Sequence, residues 1–248
     1  MIGRTGNAIG PTLAIARREL AAVWRTPVGW AAAALYAFLT GLVFTETSLV
    51  PGEVSSLRYF FGPSAWLLMA VAPALSMRLF SNETPPGGIE ALRAAPVSAG
   101  QVVVGKLLGA AASLPLLLIP TLGLPIALVA VSDPMPDIGP IATGYAGLLL
   151  VGGVYVCVGG LASSLTDSPV LAFLGALIAI VSVQIAAGLL PDRLPGRWAE
   201  AAAALAVAPR MADFARGVID TRHVAVLLSA AAWLGALSTA ALVLRRPR

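Results

Sequence analysis

Residues 78–106 read RLFSNETPPGGIEALRAAPVSAGQVVVGK. They carry Arg78, Glu83, Glu90, Arg93 and Lys106 between two long apolar runs, and form the longest charge-bearing interruption in the first half of the chain. A backbone crossing hydrocarbon must satisfy its own hydrogen bonds, and charges there are costly. If the flanking runs are membrane spans, this stretch lies outside the bilayer and meets something there. Composition favours spans. Of 248 residues, 58% are hydrophobic and 11% charged, with a mean hydropathy of +0.88; a soluble domain has about 25% charged residues. The predicted fold class is an all-α polytopic membrane protein with six transmembrane helices.

The six charge-free runs are 26–45, 59–77, 107–132, 138–166, 168–191 and 224–244. Each has roughly the 20 residues that cross about 30 Å of hydrocarbon. The chain therefore reads as one transmembrane domain. Residues 1–26 are a tail and a short amphipathic helix, 27–77 the first two spans and 78–106 the charged segment. Residues 107–191 are three further spans, 192–223 a second non-spanning segment, and 224–248 the last span and a basic tail. Six spans put both termini on one side. With that side cytoplasmic, it holds Arg4, Arg17, Arg18, Arg25, Arg78, Arg93, Lys106, Arg245, Arg246 and Arg248. The opposite short loops hold only Arg58, and long loops such as 192–223 count little in the positive-inside rule. Both termini are predicted to be cytoplasmic.

Local signals fit these boundaries. Over 11–26, Leu13, Ala16, Leu20, Val23 and Trp24 share one helix face, Arg18 and Arg25 lie off it, and Ile15 is an exception. Such a helix suits the membrane interface. Ser98 and Gln101 have capping-box spacing before the third span. Ser168 and Pro169 give a capping residue and an N1 proline at the fifth. Pro115, Pro120 and Pro125 should kink the third. The pairs Gly152-Gly153 and Gly159-Gly160 favour close helix–helix approach in the fourth. Residues 192–222 read as short interfacial or partly re-entrant helices.

Catalytic chemistry is excluded more firmly than any substrate is indicated. The apolar runs hold no Lys, Arg, Asp or Glu, which argues against a buried-carboxylate ion pump and an intramembrane protease. One cysteine and one histidine leave no metal-ligand set, and no nucleic-acid footprint is present. Gln184 and Ser182 are the most polar groups of the fifth span, suited to bonding a neighbouring helix. The run GQVVVGKL at 100–107 nearly matches a phosphate-binding loop. However, Leu107 replaces the Mg²⁺-binding hydroxyl, and no strand precedes it. The chain is not expected to hydrolyse ATP. Within the opening stretch, 89–94 can form nearly two helical turns, with Ile89 and Leu92 on one face and Glu90 and Arg93 on another. That pattern suits docking in a partner's groove; a solvated chain reversal is the alternative.

Four stretches together resemble the permease subunit of a type-2 ABC transporter: RRELAAVWRTPVGW (17–30), APALSMRLFSNETPPGGIEALRAAPVSAGQVVVGK (72–106), GYAGLLLVGGVYVCVGGLASSLTDSPVLA (144–172) and DFARGVIDTRHV (213–224). The likeness is greatest to the subgroup containing the gliding-motility and nitrous-oxide-reductase maturation permeases. This resemblance implies an N-terminal elbow helix, matched by Arg17, Arg18, Glu19, Trp24 and Arg25. It implies a cytoplasmic coupling helix docking on a separate ATPase, matched by Arg78, Glu83, Gly88, Ile89, Glu90, Leu92, Arg93 and Pro96. It also implies an extracytoplasmic motif at Phe214, Arg216, Gly217 and Asp220. Asn82 replaces a usual glutamate, and Pro85-Pro86 occupy a usually basic link. The implied assembly is two ABC ATPase subunits and two permease copies (a homodimer) in a bacterial cytoplasmic (inner) membrane, with a periplasmic or auxiliary membrane subunit left open. ATP and Mg²⁺ belong to the partner, and this chain binds no cofactor and no metal. The expected function is export or translocation of a substrate the sequence does not identify. The rivals are a secondary transporter or channel without an ATPase, disfavoured by the lack of ionisable residues in the spans, and a non-transporting membrane scaffold for an ABC ATPase.

Overall fold

The computed structural model describes residues 9–48, 56–81, 98–132 and 135–244, and these are all-helical. Helix α1 (Ile9–Arg25) precedes α2 (Pro27–Ser48) and α3 (Arg58–Ser76). The third apolar run is α4 (Ala99–Ala111), α5 (Ser113–Leu118), a 3₁₀ turn (Ile119–Leu122) and α6 (Gly123–Val131). Then come α7 (Ile138–Leu165) and α8 (Pro169–Leu189), the short helices α9 (Arg197–Ala203) and α10 (Val207–Phe214), and α11 (Thr221–Leu244). Six of these units are long and apolar enough to cross a bilayer, α4–α6 counting as one from Ala99 to Val131.

The third span departs most from expectation. It starts eight residues before Leu107, because the capping box forms: Ser98 Oγ accepts from the Gln101 amide at 3.3 Å, and the Ser98 amide donates to Gln101 Oε1 at 2.9 Å. The near-match to a phosphate loop is thus helix. Pro115, Pro120 and Pro125, which lack an N–H to donate, fall in the segmented part of the span. At the fifth span Pro169 occupies the first turn, but the Ser168 side chain makes no capping hydrogen bond.

Helix α7 is the hub, packing on α3, α4, α5, α8, α10 and α11. Its glycines explain how. A Cβ at 159 would lie 2.1 Å from Ser76 Oγ and 3.0 Å from the Pro73 Cα. At 160 it would meet Leu107 Cδ2 at 2.5 Å, and at 152 Leu114 Cδ1 at 3.1 Å. Position 153, by contrast, faces open space. The core around these contacts includes Phe61, Leu68, Leu117 and Val151, all buried.

Outward faces are apolar as well. Trp30, Phe38 and Leu42 on α2, Leu171, Leu174 and Ile178 on α8, and Leu228, Trp233 and Leu237 on α11 are all exposed. Lipid, not water, is the matching solvent for so much exposed hydrocarbon. Several hydroxyls within the spans return to their own span, while those of Tyr36 and Tyr145 donate across to the carbonyls of Ser64 (3.3 Å) and Thr121 (3.0 Å). Thr40, Ser64, Ser113 and Ser238 each donate to the carbonyl four residues back, which keeps polar atoms satisfied where no water reaches them.

Overpacking a tight helix contact costs about 1–3 kcal/mol, whereas alanine in an open helical site gains up to about 1 kcal/mol over glycine. Gly159→Ala should therefore lower the thermal unfolding temperature of the detergent-solubilised chain, and Gly153→Ala should leave it level or raise it. Equal losses at both positions would contradict this packing.

Candidate functional site

The described flanks of residues 82–97 end in a buried polar joint. After α3 the chain turns through 77–81, where Leu79, Phe80 and Ser81 are buried and Arg78 is exposed. Ser163 of α7, fully buried, holds this turn. Its hydroxyl donates to the Met77 carbonyl at 2.9 Å and accepts from the amides of Phe80 (3.0 Å) and Ser81 (3.2 Å). Three backbone groups that leave the helix are thereby satisfied by one side chain, which fits the demand that buried polar groups be paired.

Lys106 supplies the second half of the joint. It is the sole lysine of the sequence. The sequence reading placed it outside the spans; the structure puts it within α4, inside the third spanning unit and 3% exposed. Its ammonium donates to the Leu79 carbonyl, stands 3.6 Å from Glu19 Oε1 and lies 5.3 Å from the Phe80 ring centroid. A compact ammonium with three donors can serve a carbonyl, a carboxylate and a ring face at once.

Glu19 brings the N-terminal helix into the same joint. Helix α1 lies along α4, and the contact is close because α4 has glycine there. A Cβ at 105 would sit 2.8 Å from the Thr12 carbonyl, and one at 109 would sit 2.5 Å from that of Ala16. Ile15 meets α4 at Gly105, although it was the exception on the expected apolar face; Leu13, on that face, is 56% exposed. The helix has two apolar directions, one toward α4 and one toward lipid, and a single-face reading merges them. Of the matched elbow residues, Arg17, Arg18 and Arg25 are exposed and Glu19 is turned inward. Trp24 packs edge-on to Trp30 at 5.3 Å, while its carbonyl accepts from Trp30 Nε1 at 2.9 Å.

At the other end of the bundle, the 213–223 motif closes the turn into α11. Phe214 is buried against α7, where a Cβ at Gly147 would meet its ring at 2.9 Å. The Phe214 carbonyl accepts from Thr143 Oγ1 at 2.6 Å. Gly217 has φ +87°, and the amides of Gly217 and Val218 donate to Phe214 and Asp213, which is the Schellman end of a helix. Asp220 then caps α11 by accepting from the Arg222 amide at 2.8 Å. Arg216 pairs with Asp213 at 3.8 Å. Arg210 is buried and donates to the Ala206 carbonyl at 2.9 Å and to that of Ala204. Burial, and then the Arg222 charge, lower its pKa from the ordinary guanidinium value. Gln184 of α8 clasps this region, donating to the Leu205 carbonyl (3.3 Å) and accepting from the Val207 amide (2.9 Å).

A family model described as ABC-2 family transporter protein matches residues 13–232. The chain belongs to that family. No curated protein matches it. As an ABC-2 chain it is a multi-pass membrane permease component of an ABC transporter, rather than an enzyme, and the family implies an ABC ATPase partner. Among the described residues no cluster of His, Cys, Asp and Glu is built to hold a metal ion.

The predicted site residues thus divide by their place in the structure. Glu83, Gly88, Ile89, Glu90, Leu92, Arg93 and Pro96 lie outside the described residues. Arg78 and the elbow arginines are exposed, Glu19 enters the joint and Trp24 packs on Trp30, and Phe214, Arg216, Gly217 and Asp220 belong to the opposite end. Of the residues that build the joint, Glu19 is among the matched elbow residues, whereas the sequence reading does not single out Lys106 or Ser163 for it. The one available signal was a lone lysine among fifteen arginines.

Removing one partner of a buried ion pair costs up to about 3–5 kcal/mol, and an orphaned buried carbonyl about 1–3. Lys106→Met should destabilise the ABC-2 chain by about 2–3 kcal/mol, and adding Glu19→Gln should cost less on that background than in the parent. A thermal-unfolding double-mutant cycle checks this, and zero coupling between the two sites would contradict the joint.

Proposed function

We propose that this chain is the membrane subunit of an ATP-driven exporter or translocator, in which residues 82–97 dock on a separate ATPase and pass its motion to the spans. One observation carries the reading: the two flanks of that segment are rooted in a buried polar joint that ties α1, α3, α4 and α7 together. A push on the segment would reach four helices through short, satisfied contacts rather than through a slack loop. The ABC-2 match supplies the partner class.

In this reading the segment and both termini face the cytoplasm, as the arginine distribution favours. Two permease copies meet two ATPases in the cytoplasmic membrane. ATP and Mg²⁺ stay on the ATPases. When nucleotide closes the ATPase pair, the two docking segments move together. The spans then tilt as rigid bodies, since the Gly159 and Gly160 contacts leave little room to shear. Ile89 and Leu92 would fill a groove on the ATPase, with Glu83, Glu90 and Arg93 aligning the helix. Each buried aliphatic side chain contributes roughly 1.5–3 kcal/mol.

Leu92→Asp should therefore abolish co-purification of the ATPase and ATP-dependent transport, while leaving thermal unfolding of the permease unchanged. A variant that still co-purifies and still transports would refute the docking role.

A further inference from the structure

At the end of the bundle opposite residues 82–97, a cleft of about 330 Å³ lies between the start of α3 and helix α10. Its lining includes Arg58, Tyr59, Pro63, Trp66, Met211 and Arg216. The order of these groups along α3 sets a polarity. Arg58 is the first residue of the helix, and Trp66 lies eight residues on, about 12 Å deeper at 1.5 Å per residue. Charge sits at the end where the chain leaves the bilayer, and the walls become aromatic and apolar toward the middle. Tyr59 is 65% and Trp66 51% exposed, so the cleft opens sideways.

The charges are placed to be used. Among the described residues no carboxylate pairs with Arg58, and Arg216 is only partly offset by Asp213 at 3.8 Å. Among the described residues no acidic side chain lines the cleft. Guanidinium forks match the oxygens of a phosphate, and Met211 offers an adaptable wall for a chain of variable shape. The volume is at the low end for ligand pockets. That is room for a headgroup and a few methylenes, and too little for a folded partner. A lone ring of interfacial aromatics would need no cavity and no convergent arginines.

We propose that this cleft binds an anionic phospholipid taken laterally from the bilayer, its phosphate held by Arg58 and Arg216 and its upper acyl chain laid along Pro63 and Trp66. The proposal does not depend on ATPase docking, which belongs to the other end of the bundle.

The test uses the full chain in nanodiscs holding equal amounts of phosphatidylglycerol and phosphatidylcholine, with brominated acyl chains on one lipid or the other. Trp66 quenching is isolated by difference from Trp66→Phe. Bromine on phosphatidylglycerol should quench Trp66 at least about fivefold more strongly than bromine on phosphatidylcholine, the factor for a single arginine acting on an anionic headgroup and so a lower bound for two. In Arg58→Gln/Arg216→Gln the ratio should fall to one. The parent comparison needs no variant, so a misfolded double variant does not remove the test. Equal quenching by the two lipids in the parent chain would overturn the proposal, as would an unchanged ratio in a folded double variant. Millimolar inorganic phosphate at fixed ionic strength should leave the quenching intact; its loss would mean a site for free phosphate, which also overturns the lipid assignment.

Discussion

The close approach of α7 to α3 and α4 at Gly159 and Gly160 is the contact on which the joint depends. At Gly159 there is no space for a methyl group between α7 and the Pro73–Ser76 turn, and at Gly160 none before Leu107. One turn further along α7, Ser163 reaches the backbone of 77–81 only because those helices are already this close. The same proximity seats Leu79 within reach of Lys106, and Lys106 within reach of Glu19 on α1. Van der Waals packing of glycine faces, not burial of apolar groups from water, drives helix association inside a bilayer. The polar joint is then built where that packing has already removed the gaps.

The distribution of polar chemistry follows from the solvent. Within the spans several hydroxyls turn back on their own helices, those of Tyr36 and Tyr145 reach a neighbouring segment, and most other side-chain hydrogen bonds between distant segments cluster near the two ends. At one end they tie together the helices that flank residues 82–97. At the other they fasten the α9–α10 region to α7 and α8 through Gln184 and Thr143, and the local Asp220 cap starts α11. A bundle fastened at both ends and packed on small residues between them moves more readily as a unit than by internal shear.

The six spans were legible because charge-free runs of about 20 residues have one physical outcome for a backbone that must satisfy itself in lipid. The capping box at Ser98 and the breaks among Pro115, Pro120 and Pro125 were legible for similarly local reasons. Three of the four paired glycines make the close contacts their spacing suggested, and Gly153 does not, since the rotation of a helix in its bundle is a tertiary choice. Lys106 was misplaced because a lone charge beside an apolar run looks like a boundary. Only the approach of Glu19 and Leu79, 87 and 27 residues away in the chain, makes it tolerable inside a helix. Ile15 was missed because one amphipathic face was expected where the helix has two.

The claim at the centre of this account is that residues 82–97 are where an ABC ATPase takes hold. Photocrosslinking from position 89 tests it most directly, with position 219 at the opposite end as the reference. In native membranes, a photoreactive residue at 89 should yield a covalent adduct whose partner peptide comes from an ABC ATPase, enhanced when nucleotide is trapped; position 219 should yield none. An ATPase adduct of equal yield from 219, or its absence from 89 in membranes that transport, would contradict the account.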